Sequence, residues 1–379
     1  MPSDDMTRPR PPARARPYGT VAVLGSGAWG TALASVARRA GAEVRLWGRN
    51  PDVAADINDN ARNEAFLPGI PLPAGIRATT DLAAALDGAE AVLIVIPSHS
   101  VRAICADIAR LIGKGVPVAL CAKGIEEATG YLMGQVALDE LPDHPVGVIS
   151  GPTFADETAL GHLTAATVAF EFSYHDRLSP FESPAARMAV TMSTEHFRTY
   201  ISDDLVGVEV GGAVKNVIAI ACGMMTGAGF AKNTRAALIT RGMDEMKQLA
   251  EALGGRRETV TGLSGAGDLT LTCSSESSRN MSLGVQLGAG TPREECFGGK
   301  PVVVEGELNA ISVTDLARRV QVSMPICEAV RAVLHEGADL NDTFARLWSR
   351  PIESEPRAMG LLLDHPAARG PQTPLPETT

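Results

Sequence analysis

Apolar positions fall into two regimes along the chain. Up to about residue 200 they come as short blocks rich in Val, Ile, Leu and Ala, at 21–24, Glu43–Trp47, 91–96, 116–120 and 146–149. Blocks this short, alternating with stretches of helical period, predict strands of a parallel sheet covered by helices on both faces. A helix is expected after the first block, from Thr31 to about Ala40. Beyond about Ser202 the short blocks give way to long helical patterns, over 207–223, over 233–252 and in several runs from Ser282 onward. The segment 207–223 is small or apolar at nearly every position, so as a helix it is buried on most sides.

The pattern therefore predicts a sheet domain over 18–200 and an all-α domain over 201–355, with the join near 195–205. Residues 1–17, rich in Pro and Arg, and the C-terminal stretch 356–379 have the composition of disordered tails. The stretch 170–195, punctuated by Pro180 and Pro184, reads as an irregular excursion at the join.

Composition narrows the class of protein. A chain of 379 residues is long enough for two cores. Its 34 basic against 44 acidic residues leave a net charge of −10, which argues against nucleic acid or an anionic membrane as the main partner. No apolar run is expected to approach the roughly 20 residues that span a bilayer, and the N-terminus lacks the apolar core of a signal peptide. Cys105, Cys121, Cys222, Cys273, Cys296 and Cys327 show no CxxC spacing, and several sit inside apolar runs. Free thiols in a reducing cytoplasm fit this usage better than disulfides or a metal site.

The first block is followed by Gly25-Ser26-Gly27-Ala28-Trp29-Gly30 and then by the expected helix, which is GxGxxG in its strand-to-helix setting. Gly25 permits the tight turn, Gly27 lets the backbone approach a pyrophosphate, and Gly30 lets helix pack on strand. The alternative is a glycine turn in an ordinary βα unit. Dinucleotide binding makes this a Rossmann-type domain. At the end of the second strand, where an NAD-preferring site carries Asp or Glu, the chain has Gly48-Arg49-Asn50. Arg49 can neutralise a 2′-phosphate, so NADPH is favoured over NADH; otherwise Arg49 is a solvated surface residue.

Ligands of such sheets bind beyond the carboxyl ends of the strands. Pro97-Ser98-His99, Cys121-Ala122-Lys123-Gly124 and Ser150-Gly151-Pro152-Thr153 fall there. Lys123 is the cation among them; His99 reads more readily as a surface residue than as an acid–base group. In the helical half, Lys215 interrupts the apolar run, followed by Asn216. A lysine in such a helix is desolvated and its pKa lowered unless a partner compensates. It leans over Gly211 and Gly212, which leave room for another backbone or a small molecule. The competing reading pairs it with Glu209 or a distant carboxylate. Two polar clusters follow: the glycine-rich 262–267 closed by Asp268, and Ser277-Ser278-Arg279-Asn280 ahead of a helix expected to begin near Met281. The second has the make-up of an anion site, or of a plain N-cap with a solvated arginine. A dinucleotide site and a lysine in an apolar helix together imply hydride exchange with a small anionic ketone, the lysine acting as acid in one direction and base in the other.

From about residue 20 to 350 the chain resembles the bacterial-type NAD(P)-dependent glycerol-3-phosphate dehydrogenases. The resemblance rests on six motifs in order: 25–34, 150–155, 207–216, 236–242, 265–269 and 278–280. It implies interconversion of dihydroxyacetone phosphate and sn-glycerol 3-phosphate for phospholipid synthesis in the cytoplasm. It further implies an all-α domain like that of 6-phosphogluconate dehydrogenase-like enzymes, and a homodimer. By motif, Lys215 is similar to the family's proton acceptor. Lys123, Gly151, Thr153, Asp268, Ser278, Arg279 and Asn280 match its substrate contacts. Ala28, Trp29, Arg49, Lys123, Ala155, Arg279, Val303 and Glu305 match its nucleotide contacts, which gives the otherwise roleless run 302–306 a purpose. Two rivals stand beside this reading: a β-hydroxyacid or ketoacid reductase on the same layout, and a catalytically silent nucleotide-binding regulator, against which the Lys215 and Asp268 pair argues.

Overall fold

The computed structural model describes residues 14–355 and 359–369; of the tails expected over 1–17 and 356–379, residues 1–13, 356–358 and 370–379 lie outside the described residues. The chain clusters into two compact units, one of residues up to Ala122 with Gly134–Leu205, the other of Lys123–Met133 with residues from Val206 on.

The first unit is an eight-stranded sheet: β1 (Thr20–Leu24), β2 (Glu43–Trp47), β3 (Ile76–Thr79), β4 (Ala91–Ile94), β5 (Val118–Leu120), β6 (Val146–Ser150), β7 (Thr164–Phe170) and β8 (Phe197–Ser202). Their order is β3-β2-β1-β4-β5-β6-β7-β8. β1 pairs in parallel with both β2 and β4, so the strand order reverses at β1, and a ligand crevice forms at such a reversal. Val21–Leu24 and the whole of β4 are buried, as strands covered on both faces must be. Helices α1 (Ala28–Arg39), α2 (Pro51–Asn60), α3 (Leu82–Leu86), α4 (Val101–Ile108), α5 (Met133–Glu140) and α6 (Ala155–Leu160) fill the connections.

The sheet is not parallel throughout. β7 runs antiparallel to β6, with Gly147 opposite Phe170. The chain leaving β6 turns back at the same end through the single short helix α6. The alanines of β7 and the edge pattern of β8, a buried Phe197 followed by mostly half-exposed residues, dilute the strand signal in both. The stretch 170–195 is built rather than irregular. It holds α7 (Tyr174–Leu178), which opens with a Ser173/Asp176 capping box, and α8 (Pro184–Met192), which is N-capped by Ser183. Ala185, Met188 and Met192 of α8 are wholly buried in the sheet's core.

The second unit is helical: α9 (Leu205–Gly227), α10 (Lys232–Ala252), α11 (Arg257–Val260), α12 (Asp268–Ser274), α13 (Arg279–Gly288), α14 (Glu305–Arg319), α15 (Pro325–His335) and α16 (Leu340–Trp348). Here one expectation fails. α9 has 23 residues and a mean hydropathy of 1.6, long and apolar enough to cross a membrane. In this unit 94% of its apolar window is buried, so it is the core helix around which the others pack. Gly223 and Gly227 of α9 meet Gly284 and Gly288 of α13 so closely that a Cβ on any of the four would run into a carbonyl of the facing helix. That approach brings the α13 N-terminus to the turn of α9 that carries Asn216.

Part of the C-terminal segment expected as a tail is ordered. β9 (Ile352–Glu353) pairs antiparallel with β10 (Leu362–Leu363), and Glu353 meets Arg241 of α10 at 3.0 Å. All six cysteines are buried free thiols.

Candidate active site

In the first unit the β1–α1 turn has the shape its glycines predict. Gly25 sits at φ +126°, which a side chain rarely adopts, and a Cβ there would meet the Val95 carbonyl. A Cβ on Gly30 would collide with the Gly25 carbonyl, whereas one on Gly27 would meet nothing within 4 Å. Gly27 is also the N-cap of α1 and offers no side chain to its free N–H groups. Open space and unclaimed donors at one helix N-terminus fit a dinucleotide's pyrophosphate.

Arg49 is exposed just past β2. It stands next to Gly48, whose Cα lies against Ser26 of the turn. Ala28, Trp29 and Ala155 pack on one small cluster of Ala32, Leu67, Ile70 and Ala159. Gly151 is held against the backbone of β7, and Thr153 Oγ1 donates to the Gly151 carbonyl at 3.3 Å. His99 lies exposed on the single turn Ser98–Ser100.

A residue the sequence reading missed holds this turn. Asn63 is wholly buried, and its Nδ2 donates to the Ser26 carbonyl at 3.0 Å and to Thr31 Oγ1 at 2.8 Å. No local spacing links Asn63 to the glycines, so nothing in the sequence singled it out.

In the second unit one carboxylate joins two lysines. Asp268, at the start of α12, takes Lys215 Nζ on Oδ1 at 3.0 Å and Lys123 Nζ on Oδ2 at 2.6 Å. Their side chains are 4%, 8% and 17% exposed respectively, so the charges interact through little water. Burial pulls the Lys215 ammonium below the ordinary lysine value, and Asp268 opposes that without reversing it. Burial alone would raise the Asp268 carboxyl; the two ammonium groups, Lys123 foremost, more than reverse this and hold it below its ordinary value. Two positive charges against one negative leave the cluster an unmatched positive charge for an anionic ligand.

Of the partners the sequence allowed Lys215, the distant carboxylate is one it meets. The space over Gly211 is taken by backbone, that of Ser264 and Gly265 in the glycine-rich turn. Thr272 was missed: its Oγ1 accepts from Lys215 Nζ at 2.8 Å and donates to the Asp268 carbonyl at 2.6 Å. Its spacing of four residues from Asp268 on one helix was the available signal.

α13 begins at Arg279, two residues before the expected start, with Ser278 as its N-cap accepting from Met281 N at 3.3 Å. Arg279 is exposed, and its Nη1 donates to the Val303 carbonyl at 2.9 Å. Asn280 turns inward: its Nδ2 donates to Asn216 Oδ1 at 3.0 Å, and its Oδ1 accepts from Gly306 N at 2.9 Å. Asn216 Nδ2 in turn donates to Glu305 Oε2 at 3.3 Å. Gly306 has no room for a Cβ between Asn216 and Asn280. The neighbour of Lys215 is thereby tied to both Arg279-Asn280 and the first turn of α14, and Val303 and Glu305 are brought to Arg279 and Asn216.

Comparison with known proteins agrees with this layout. The sequence family described as NAD-dependent glycerol-3-phosphate dehydrogenase N-terminus matches residues 20–175, and the corresponding C-terminus family matches 204–345. The glycerol-3-phosphate dehydrogenase (NAD(P)+) of Rhodospirillum rubrum is 46% identical over 349 residues, 92% of this chain and 97% of that protein. That of Caulobacter vibrioides is 47% identical over 338 residues, 89% of this chain and 99% of its own length. The crystal structure of glycerol-3-phosphate dehydrogenase from Coxiella burnetii superposes with a TM-score of 0.80 at 37% identity, covering 88% of this chain and 99% of that one.

Proposed function

We propose a division of labour among the residues of this chain, which belongs to the family of NAD-dependent glycerol-3-phosphate dehydrogenases. The chain interconverts dihydroxyacetone phosphate and glycerol 3-phosphate by NAD(P)-dependent hydride transfer, a reaction of glycerophospholipid metabolism. In the proposed scheme Gly25, Gly27, Ala28, Trp29, Gly30, Arg49 and Ala155 of the first unit hold the dinucleotide, with Lys123, Arg279, Val303 and Glu305 of the second. When bound, the dinucleotide supplies or takes up the hydride.

Lys215 gives its proton to the ketone oxygen in reduction and takes it back from the alcohol in oxidation. Its ammonium also stabilises the negative charge that grows on that oxygen. Asp268 orients Lys215 and, by sharing its second oxygen, holds Lys123 ready for the substrate. Gly151, Thr153, Ser278, Arg279 and Asn280 complete the substrate contacts, Arg279 contributing a charge-assisted pair to the phosphate. The observation that carries this scheme is the single buried carboxylate shared by Lys215 and Lys123.

The scheme is tested by following nicotinamide absorbance with dihydroxyacetone phosphate and, in parallel, with dihydroxyacetone. Nucleotide oxidation is expected with the phosphorylated ketone alone; equal rates with both ketones would remove the cationic cluster from substrate recognition. Arg49 makes NADPH the preferred nucleotide in the proposal, supported by the packing of Gly48 on the glycine turn. Arg49→Ala should lower kcat/KM for NADPH by about tenfold or more, the worth of a hydrogen bond to a charged group, and leave NADH nearly untouched. Equal losses with both nucleotides would count against a 2′-phosphate contact. The proposal also takes the enzyme to be a cytoplasmic homodimer, resting on its likeness to related helical domains; light scattering that returns the 39.6 kDa of one chain would remove the dimer.

A further inference from the structure

We infer that Asn309 is a positioning residue for Lys123. The inference rests on the proposed reading of Lys123 as a substrate contact. Lys123 directly follows the part of the chain that carries β5, yet residues 123–133 cluster with the helical unit. α14 holds them there at two points. Asn309 is buried, and its Nδ2 donates to the Lys123 carbonyl at 3.2 Å and to the Ala213 carbonyl at 3.0 Å. A carboxamide nitrogen has two hydrogens. Here both are spent on fixing the backbone of Lys123 to the backbone of α9, two residues before Lys215. Farther along α14, Arg319 Nη1 donates to the Thr129 carbonyl at 2.7 Å.

Across the second clamp the segment closes on itself. Ile125 bridges to Leu132, Glu126 N donates to the Tyr131 carbonyl at 2.8 Å, and Gly130 N donates to the Glu126 carbonyl at 2.8 Å. Ile125 and Leu132 insert into the helical core. The backbone of Lys123 is therefore fixed in the frame of α9 and α14, and its flexible side chain needs only to reach Asp268. A long side chain anchored this way starts from the correct place, which is what a pre-organised site requires. α14 also begins at Glu305, which Asn216 contacts. One helix thus supports Lys123 from below and meets the neighbour of Lys215 at its first turn.

The experiment measures KM for dihydroxyacetone phosphate, kcat, and nucleotide affinity by fluorescence titration. The proteins are wild type, Lys123→Ala, Asn309→Ala, Arg319→Ala, and each of the last two combined with Lys123→Ala. Asn309→Ala is expected to raise KM by about tenfold, as misplacement of a contact group does, and to lower nucleotide affinity by no more than Lys123→Ala does. On the Lys123→Ala background it should add less than about twofold, because the residue through which it acts is gone. Arg319 is exposed, so its removal leaves no buried cavity. Arg319→Ala should shift KM in the same direction by less, and this too should vanish without Lys123. If Asn309→Ala yields no folded protein, the two Arg319 measurements decide. Equal losses on both backgrounds, or an unchanged KM in the single variants, overturn the positioning role. An unchanged KM in Lys123→Ala alone overturns instead the reading of Lys123 as a substrate contact.

Discussion

Lys215→Ala should lower kcat for dihydroxyacetone phosphate reduction by about 10²–10⁴-fold, the usual worth of a positioned acid–base group, while nucleotide affinity survives. The two readouts separate because the glycine turn of the first unit is built without Lys215. The pH dependence gives the same residue a second signature. Burial lowers its pKa from 10.5, with Asp268 opposing. Reduction needs the ammonium, so its kcat should fall as pH rises through a value below 10.5. Oxidation of glycerol 3-phosphate needs the free amine and should rise over the same interval. A reduction profile that stays flat past 10.5, or a variant that retains wild-type turnover, would remove Lys215 from the proton transfer.

What the sequence made readable follows from how local each signal is. The β1–α1 turn is written in adjacent residues, and Gly25, Gly27 and Gly30 each do in space what a glycine at that step must do. Lys215 stood out because an ammonium in an apolar helix is costly, and the structure supplies the compensation as Asp268 and Thr272. Contacts made across long sequence distances left no such trace. Asn63 and Asn309 are polar residues in unremarkable surroundings until the fold brings them to their partners; Asn216, Asn280 and Glu305 stand in legible motifs, but their joining into one chain of hydrogen bonds is not. Nor could spacing show that the segment opened by Lys123 packs with the helical unit. α9 shows the limit of composition itself: buried within a helical core, it satisfies the same length and hydropathy test as a membrane span. β3, β7 and β8 were lost because two edge strands and an alanine-rich strand lack the apolar block that marked the other five.

Asp268→Asn is expected to cost the fold about 3–5 kcal/mol at neutral pH, the range for breaking a buried ion pair from one side. The substitution keeps the shape of the side chain but leaves Lys215 and Lys123 facing each other without a counter-charge. Linkage gives this loss a pH course that a packing defect would not have. In the wild type the Asp268 pKa is lowered below 3.8, so its contribution is fully present above that value and fades as pH falls through the folded pKa. The deficit of the variant should therefore shrink in acid, where the wild-type carboxylate is protonated too. At the alkaline end Lys215 sets the course. Without Asp268 the Lys215 pKa loses the interaction that opposes burial and drops further, so the unfolded chain binds more protons than the native one between that value and 10.5. Stability of the variant then rises with pH across this window, and the deficit narrows again. Chemical denaturation of both proteins across pH should trace a difference greatest near neutrality and smaller on either side. A constant difference would mean that Asp268 acts by shape or hydrogen bonding alone, and that the two lysines are not held together by its charge.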